Sequence, residues 1–338
     1  QLRSAAAAER ASRAPGPLRN PAVLARLGAR RPFGGTTLER FDICSYIWFA
    51  EHELRPLPLD PVPDGLVQGS LVHDALDRLF RECPGGGKRP TAGTVGAWKA
   101  RAAELVAELA GEAGFGTSPQ ERAIKRGAER LLARFLDEEA GRESAFEPAL
   151  LEASFGEGEE NDRPALEIDD WLLHGAIDRI DRTPDGRALI HDYKVAGRVT
   201  PVAKFEEEAK LQLPLYALAA EEQWGLTPVG AVYHPLRGTS TRAPRGFVLD
   251  EEREDIGTYP LVKTDVLDRD GFAAEIEGAR ARASQIVARM RSGEITRDPG
   301  PREGLRNHDV CPRYCALAPI CRRDRTPVID EEREPEEQ

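Results

Sequence analysis

Methionine is nearly absent from this sequence, lysine is scarce beside arginine, and long apolar runs are missing. Met290 is the only methionine among 338 residues and the chain opens on Gln1, so it reads as a piece cut from a longer protein. No uninterrupted apolar stretch approaches the roughly 20 residues that a membrane-spanning helix needs. That argues against a membrane-embedded or secreted chain and makes the cytoplasm the expected location. Five cysteines, Cys44, Cys83, Cys311, Cys315 and Cys321, are too few and too unevenly spaced for a disulfide scaffold. There are 7 lysines against 40 arginines, so a plain positive charge is normally written as Arg and each lysine is informative. A net charge of −11 excludes a uniformly basic surface that coats nucleic acid, although local patches remain open.

What is present divides the chain. Residues 1 to 35 are rich in Ala, Arg, Gly and Pro and read as a linker or the tail of an upstream domain, with a short helical patch near Pro21 to Ala29. From Thr37, TLERFDICSYIWFAEHEL spaces apolar residues as a helix does, with Thr36 or Thr37 available as its cap. Further amphipathic helices are expected over Gly69–Cys83, Thr94–Glu112 and Pro119–Ala140, the last opened by Ser118-Pro119. The period then changes to short strands at 148–156, 164–169, 171–181 and 187–195. A helix is expected over Phe205–Trp224, a strand over Val229–Pro235, a hairpin ending near Val248 and a last long helix over Gly271–Arg291. Residues 326 to 338 read as an acidic disordered tail. The order of elements implies an α/β core with an antiparallel or mixed sheet rather than a βαβ array.

Two constellations carry chemistry. In GAIDRIDRTPDGRALIHDYK, Asp178 lies on one strand, a turn reverses the chain, and Asp192 and Lys194 lie two apart on the next strand, hence on one face. Two converging carboxylates repel unless protonated or bridged by a cation, and Mg²⁺ is the usual bridge between carboxylates and a phosphate. A lysine beside them can orient an attacking water, which is the set needed for metal-assisted phosphodiester hydrolysis. Asp-x-Lys alone is common on solvated edge strands, but here the flanking Ile177, Ile180, Leu189 and Ile190 are apolar. Gln212 and Tyr216, four apart, share a helix face. His73 lies within an apolar helix, where a histidine is more often packed core than ligand, yet its imidazole can complete a metal site. The second constellation is Cys311-x3-Cys315-x5-Cys321, thiolates suited to zinc or an iron–sulfur cluster, with His308 or the distant Cys44 as the fourth ligand. Arg280, Arg282, Arg289 and Arg291 on the last helix are candidates to track a phosphate backbone, or a solvated face.

TLERFDICSYIWFAEHEL, GSLVHDALDRLF, GAIDRID, DYK, QLPLYALA and the terminal cysteines, in this order over about residues 36 to 325, resemble the RecB-like branch of the PD-(D/E)XK nucleases. Within it they are similar to the iron–sulfur AddB-type and AdnAB-type nuclease domains. The resemblance implies a restriction-endonuclease-like core with a central mixed sheet flanked by helices, an N-terminal helical part and a C-terminal iron–sulfur segment. It implies that His73, Asp178, Asp192 and Lys194 are the metal-binding and catalytic set, with the Tyr193 carbonyl facing the metal. Gln212 and Tyr216 join them as a Q-x3-Y element that positions DNA or the site, and Glu152 resembles a strand acid upstream of the hairpin. Cys44, Cys311, Cys315 and Cys321 would hold a 4Fe–4S cluster. The expected activity is a Mg²⁺- or Mn²⁺-dependent DNA exonuclease or end-processing nuclease of repair and recombination, with a helicase domain or subunit as partner and single-stranded DNA or a duplex end as substrate. The competing expectation is a DNA-binding module that keeps the fold and a metal or cluster but does not cut.

Overall fold

The computed structural model describes residues 17–29, 32–56, 64–238 and 243–295, together with Cys315, Leu317 and Cys321. Much of the segment expected to be a linker is built into the domain. Helix α1 (Pro21–Ala29) buries Leu27, and strand β1 (Pro32–Gly34) pairs in parallel with Leu172–His174, setting Phe33 edge-on against Trp171. Helix α2 (Gly35–Ile43) starts behind Gly34, not at Thr36 or Thr37. The single helix expected through residue 54 breaks at Cys44, which is extended, and continues as α3 (Ser45–Trp48) and a π-helical segment Phe49–Leu54. The break places Cys44 in a small cluster with Ile47, Ala50 and Leu317, a tertiary contact that local periodicity does not encode.

Helices α4 (Asp64–Glu82), α5 (Val95–Glu112) and α6 (Pro119–Ala140) form one layer, locked by Leu76, Leu79, Phe80, Trp98, Leu105, Leu132 and Phe135. α6 begins with a reciprocal cap: Ser118 Oγ accepts from the Glu121 amide while the Glu121 carboxylate accepts from the Ser118 amide. The chain then builds the sheet from β2 (Glu147–Gly156), β3 (Arg163–Pro164), β4 (Leu166–Ile168), β5 (Trp171–Arg182) and β6 (Arg187–Lys194), the last two joined by the turn at Pro184-Asp185-Gly186.

The helix expected from Phe205 is shorter. A 3₁₀ turn at Val202–Lys204 and a left-handed Ala209 (φ 55°) interrupt it, so α7 runs only Gln212–Trp224. Strands β7 (Thr227–Pro235) and β8 (Arg245–Leu249), the short α8 (Arg253–Ile256), β9 (Val266–Leu267) and the long α9 (Arg269–Arg291) follow. The sheet order is β3-β2-β5-β6-β7-β8-β9, with β1 and β4 both on β5; β5 pairs antiparallel with β2 and with β6, and β6 runs parallel to β7. Leu38, Phe41, Leu213, Leu215 and Ile286 pack with Ile180, Ile190 and Ala231 in one core, and Tyr193 and Leu236 face α4–α6 in the other. The molecule is therefore a mixed sheet between two helical layers, the restriction-endonuclease-like arrangement expected. Among the described residues no helix is long and apolar enough to cross a membrane.

Candidate active site

Pairing of β5 with β6 runs from Arg182↔Ala188 to Arg179↔His191 and stops there. Beyond it Asp178 substitutes for the ladder: its Oδ2 accepts the Tyr193 N–H at 2.6 Å. Asp192 and Lys194, alternate residues of β6, lie beside each other, with Lys194 Nζ 2.6 Å from Asp192 Oδ1. Lys194 Nζ donates to Gln212 Oε1 at 2.9 Å, and Gln212 Nε2 donates to the Tyr216 hydroxyl at 3.0 Å. A Cβ at Gly175 would lie 3.0 Å from Tyr216 Cε1 and 3.2 Å from Phe155 Cζ, so both rings would have to give way to any larger residue here. Asp178, Asp192, Lys194, Gln212 and Tyr216 are thus brought into one region.

His73 reaches the same point from α4, its Nδ1 3.4 Å from Asp178 Oδ2. The ligand atoms of His73, Glu152 and Asp178 lie within 4.8 Å of one another. Glu152, the least distinctive of the candidates in sequence, is therefore nearer to this group than Asp192, which sits on the Lys194 side. The Tyr193 amide serves Asp178 and its hydroxyl takes a hydrogen bond from Arg179. Glu152 holds a left-handed backbone (φ 46°), a conformation that costs a non-glycine residue about 1–2 kcal/mol.

The electrostatics are those of a site short of positive charge. Burial, reinforced by the Asp178 carboxylate, pushes Glu152 up to about 7. Burial also raises Asp192 to about 7; Lys194 opposes this and Asp178 adds to it. For His73 burial works against the charged form, but its hydrogen bond to Asp178 and the nearby carboxylates prevail and raise it to about 9. Burial likewise disfavours the Lys194 ammonium, and Asp192, Asp178 and Glu39 more than compensate, so it stays charged. Two oxygen donors, an imidazole and a second buried carboxylate of raised pKa make a donor set that fits Mg²⁺ or Mn²⁺.

Sequence reasoning missed two groups around the site. Glu39 of α2 is buried, and its Oε1 accepts the amides of Leu211 at 2.9 Å and Gln212 at 3.0 Å. An acid on an amphipathic helix gives no signal of this. Behind β6, Arg179 donates to Tyr193, Glu139, Asp181 and Tyr259, and Glu139 also takes Arg142. His191 Nδ1 and His234 Nε2 are 2.7 Å apart in the same buried region, and burial holds His234 well below the ordinary imidazole range. The only trace in the sequence is charge inside a strand otherwise flanked by Ile and Leu.

The arginines of α9 do not form a free basic face. Arg280 pairs with Asp169, Arg282 and Arg289 with Asp42, and Arg291 with Asp170. At the other end of α2, Cys44 and Cys321 are buried and Cys315 packs against the Cys44 cluster. Arg40, held by Glu51 in two hydrogen bonds at 2.7 and 2.6 Å, is within the electrostatic reach of Cys315 and Cys44. Cys311 and His308 lie outside the described residues, as does the expected acidic tail.

Residues 33–322 match the PD-(D/E)XK nuclease superfamily. Over 376 aligned residues the chain is 26% identical to a subunit of the ATP-dependent helicase/deoxyribonuclease of Geobacillus thermodenitrificans, an alignment covering 90% of this chain. It covers 31% of that protein, so the chain spans about a third of the relative's length. The match extends through both helical layers and every strand that carries a site residue, and the chain belongs to the PD-(D/E)XK nuclease superfamily.

Proposed function

We propose that this chain is a metal-dependent deoxyribonuclease that hydrolyses phosphodiester bonds in single-stranded DNA or at duplex ends, and that it acts beside a helicase in repair and recombination. The observation that carries the reading is the convergence of His73, Glu152 and Asp178 within 4.8 Å, next to Asp192 and Lys194. His73, Glu152 and Asp178, with Asp192 adjoining, would hold Mg²⁺ or Mn²⁺, which when bound supplies Lewis-acid charge against a phosphate. Lys194 is anchored by Asp192 and Gln212, and an ammonium has three donors. Its remaining N–H orients the attacking water or a phosphate oxygen. Tyr216 fixes the Gln212 amide and, through it, the direction of Lys194.

The relative supports the helicase context, because its name joins an ATP-dependent helicase to a deoxyribonuclease. We infer in the same way that Cys44, Cys311, Cys315 and Cys321 hold a 4Fe–4S cluster of structural role; the gathering of Cys44, Cys315 and Leu317 supports this.

The test is cleavage of end-labelled single-stranded DNA by the anaerobically purified chain with Mg²⁺ or Mn²⁺. Asp192→Ala and Lys194→Ala should each lower the rate by about 100-fold or more while the circular dichroism stays unchanged. Full activity in either variant refutes the assignment, and DNA binding without cleavage in the wild type would favour the non-catalytic module.

A further inference from the structure

Glu39 lies outside the expected catalytic set, yet it reaches the one helix turn on which Lys194 depends. α7 begins poorly by its own means: Leu211, at the cap position, offers no side-chain acceptor, and the preceding Ala209 is left-handed. The first amides of a helix need acceptors, and a carboxylate satisfies them with the added attraction of the helix dipole. Here the acceptor comes from 172 residues away in sequence: Glu39 Oε1 takes both Leu211 N–H and Gln212 N–H, while Oε2 lies 3.3 Å from Lys210 Nζ. Gly35 at the start of α2 lies against the same turn, since a Cβ there would approach Gln212 Cα to 3.4 Å.

We propose that Glu39 is a positioning residue of the hydrolytic site: by holding the first turn of α7 it sets where Gln212 Oε1 stands, and so where the Lys194 ammonium points. The inference rests on the nuclease reading above. A serine or threonine at position 211 could cap only the Leu213 amide, since Pro214 has no N–H, and it would leave the turn free to move relative to β6. A cap delivered from α2 fixes the place of the turn as well as its hydrogen bonds. Gln212 then passes that placement to Lys194 at 2.9 Å, with its amide held against rotation by Tyr216. Small displacements of a group that orients a reacting water are costly, because reactive geometry tolerates only fractions of an ångström.

The experiment compares Glu39→Ala, Glu39→Gln, Glu39→Asp, Gln212→Ala and the Glu39→Ala/Gln212→Ala double variant on an end-labelled single-stranded oligonucleotide with Mn²⁺. Glu39→Ala should lower kcat about tenfold or more with KM nearly unchanged, and should speed hydrogen exchange at the Leu211 and Gln212 amides. Glu39→Gln, whose amide oxygen can still accept both N–H groups, should keep most of the rate. The double variant should be no slower than the slower single one, because both act through the same contact. If Glu39→Ala does not fold, Glu39→Asp, which keeps the charge but is one methylene too short, should show the same loss in kcat. The proposal is overturned if the variants cut at the wild-type rate, if the losses multiply in the double variant, if the loss lies in KM, or if Glu39→Gln is no better than Glu39→Ala. A wild-type chain that cuts nothing removes the nuclease reading and this proposal together; an active wild type with unimpaired Glu39 variants removes this proposal alone.

Discussion

Glu152 and Asp192 are both raised to about 7, and this fixes the sign of the metal-binding pH dependence. Below that pH each holds a proton that an incoming cation must displace, and above it each is already ionised, while His73, raised to about 9, must give up its proton across the whole range. Mn²⁺ affinity should therefore weaken as pH falls from about 8 to about 5, by up to about tenfold per unit for each proton released. Calorimetric titration at several pH values checks this, and a flat profile would mean that neither carboxylate meets the ion. Glu152 also occupies a left-handed backbone, where glycine would be unstrained. Glu152→Gly should raise the melting temperature of the metal-free chain and at the same time abolish tight Mn²⁺ binding. Of these residues, Asp178, Asp192 and Lys194 were legible because a two-residue period and a Pro-Asp-Gly turn bring them together. Glu152 was not, because an acid amid PALLEASF has no pattern that separates a ligand from a solvated edge.

Among the elements, two helices were legible almost to the residue, Pro119–Ala140 through its Ser-Pro start and α5 through its spacing, whereas α4, expected from Gly69, begins at Asp64 because its first turn carries no apolar periodicity. The other elements misjudged are those whose limits are set from elsewhere in the chain. α7 starts at Gln212 because Glu39 provides the acceptor there, and the first helix breaks where Cys44 meets Leu317. The pairing of β5 with β6 has a second support in the Arg179, Asp181 and Glu139 network, all of it buried and marked in the sequence only by charge inside an apolar strand. Arg179→Ala leaves the buried Asp181 without its guanidinium and Glu139 with Arg142 alone, and should cost about 3–5 kcal/mol, measured by urea unfolding. A loss below about 1 kcal/mol would show that water or Arg142 takes over its role.

For the whole molecule, the placement of a mixed sheet between two helical layers followed from the order of helices and strands. The inclusion of residues 17–29 and 32–34 did not, because a Pro- and Arg-rich composition looks like a connector until Phe33 is seen against Trp171. If Cys44 and the C-terminal cysteines share a cluster, the two ends of the domain are joined across most of its length, and closing so long a loop should contribute strongly to stability. Anaerobically purified chain should then be brown and hold iron, and Cys44→Ala should lose the colour and melt at a lower temperature. A colourless chain with one zinc would assign the thiols to that metal instead.

The three nearest donors belong to different parts of the architecture: His73 to the outer helical layer, Glu152 and Asp178 to two strands of the sheet. An ion seated among them is a rivet through the wall between layer and sheet. Chelation should accordingly loosen the joint along α4 even in the absence of any substrate, so the catalytic ion would also act as a fastener of the fold.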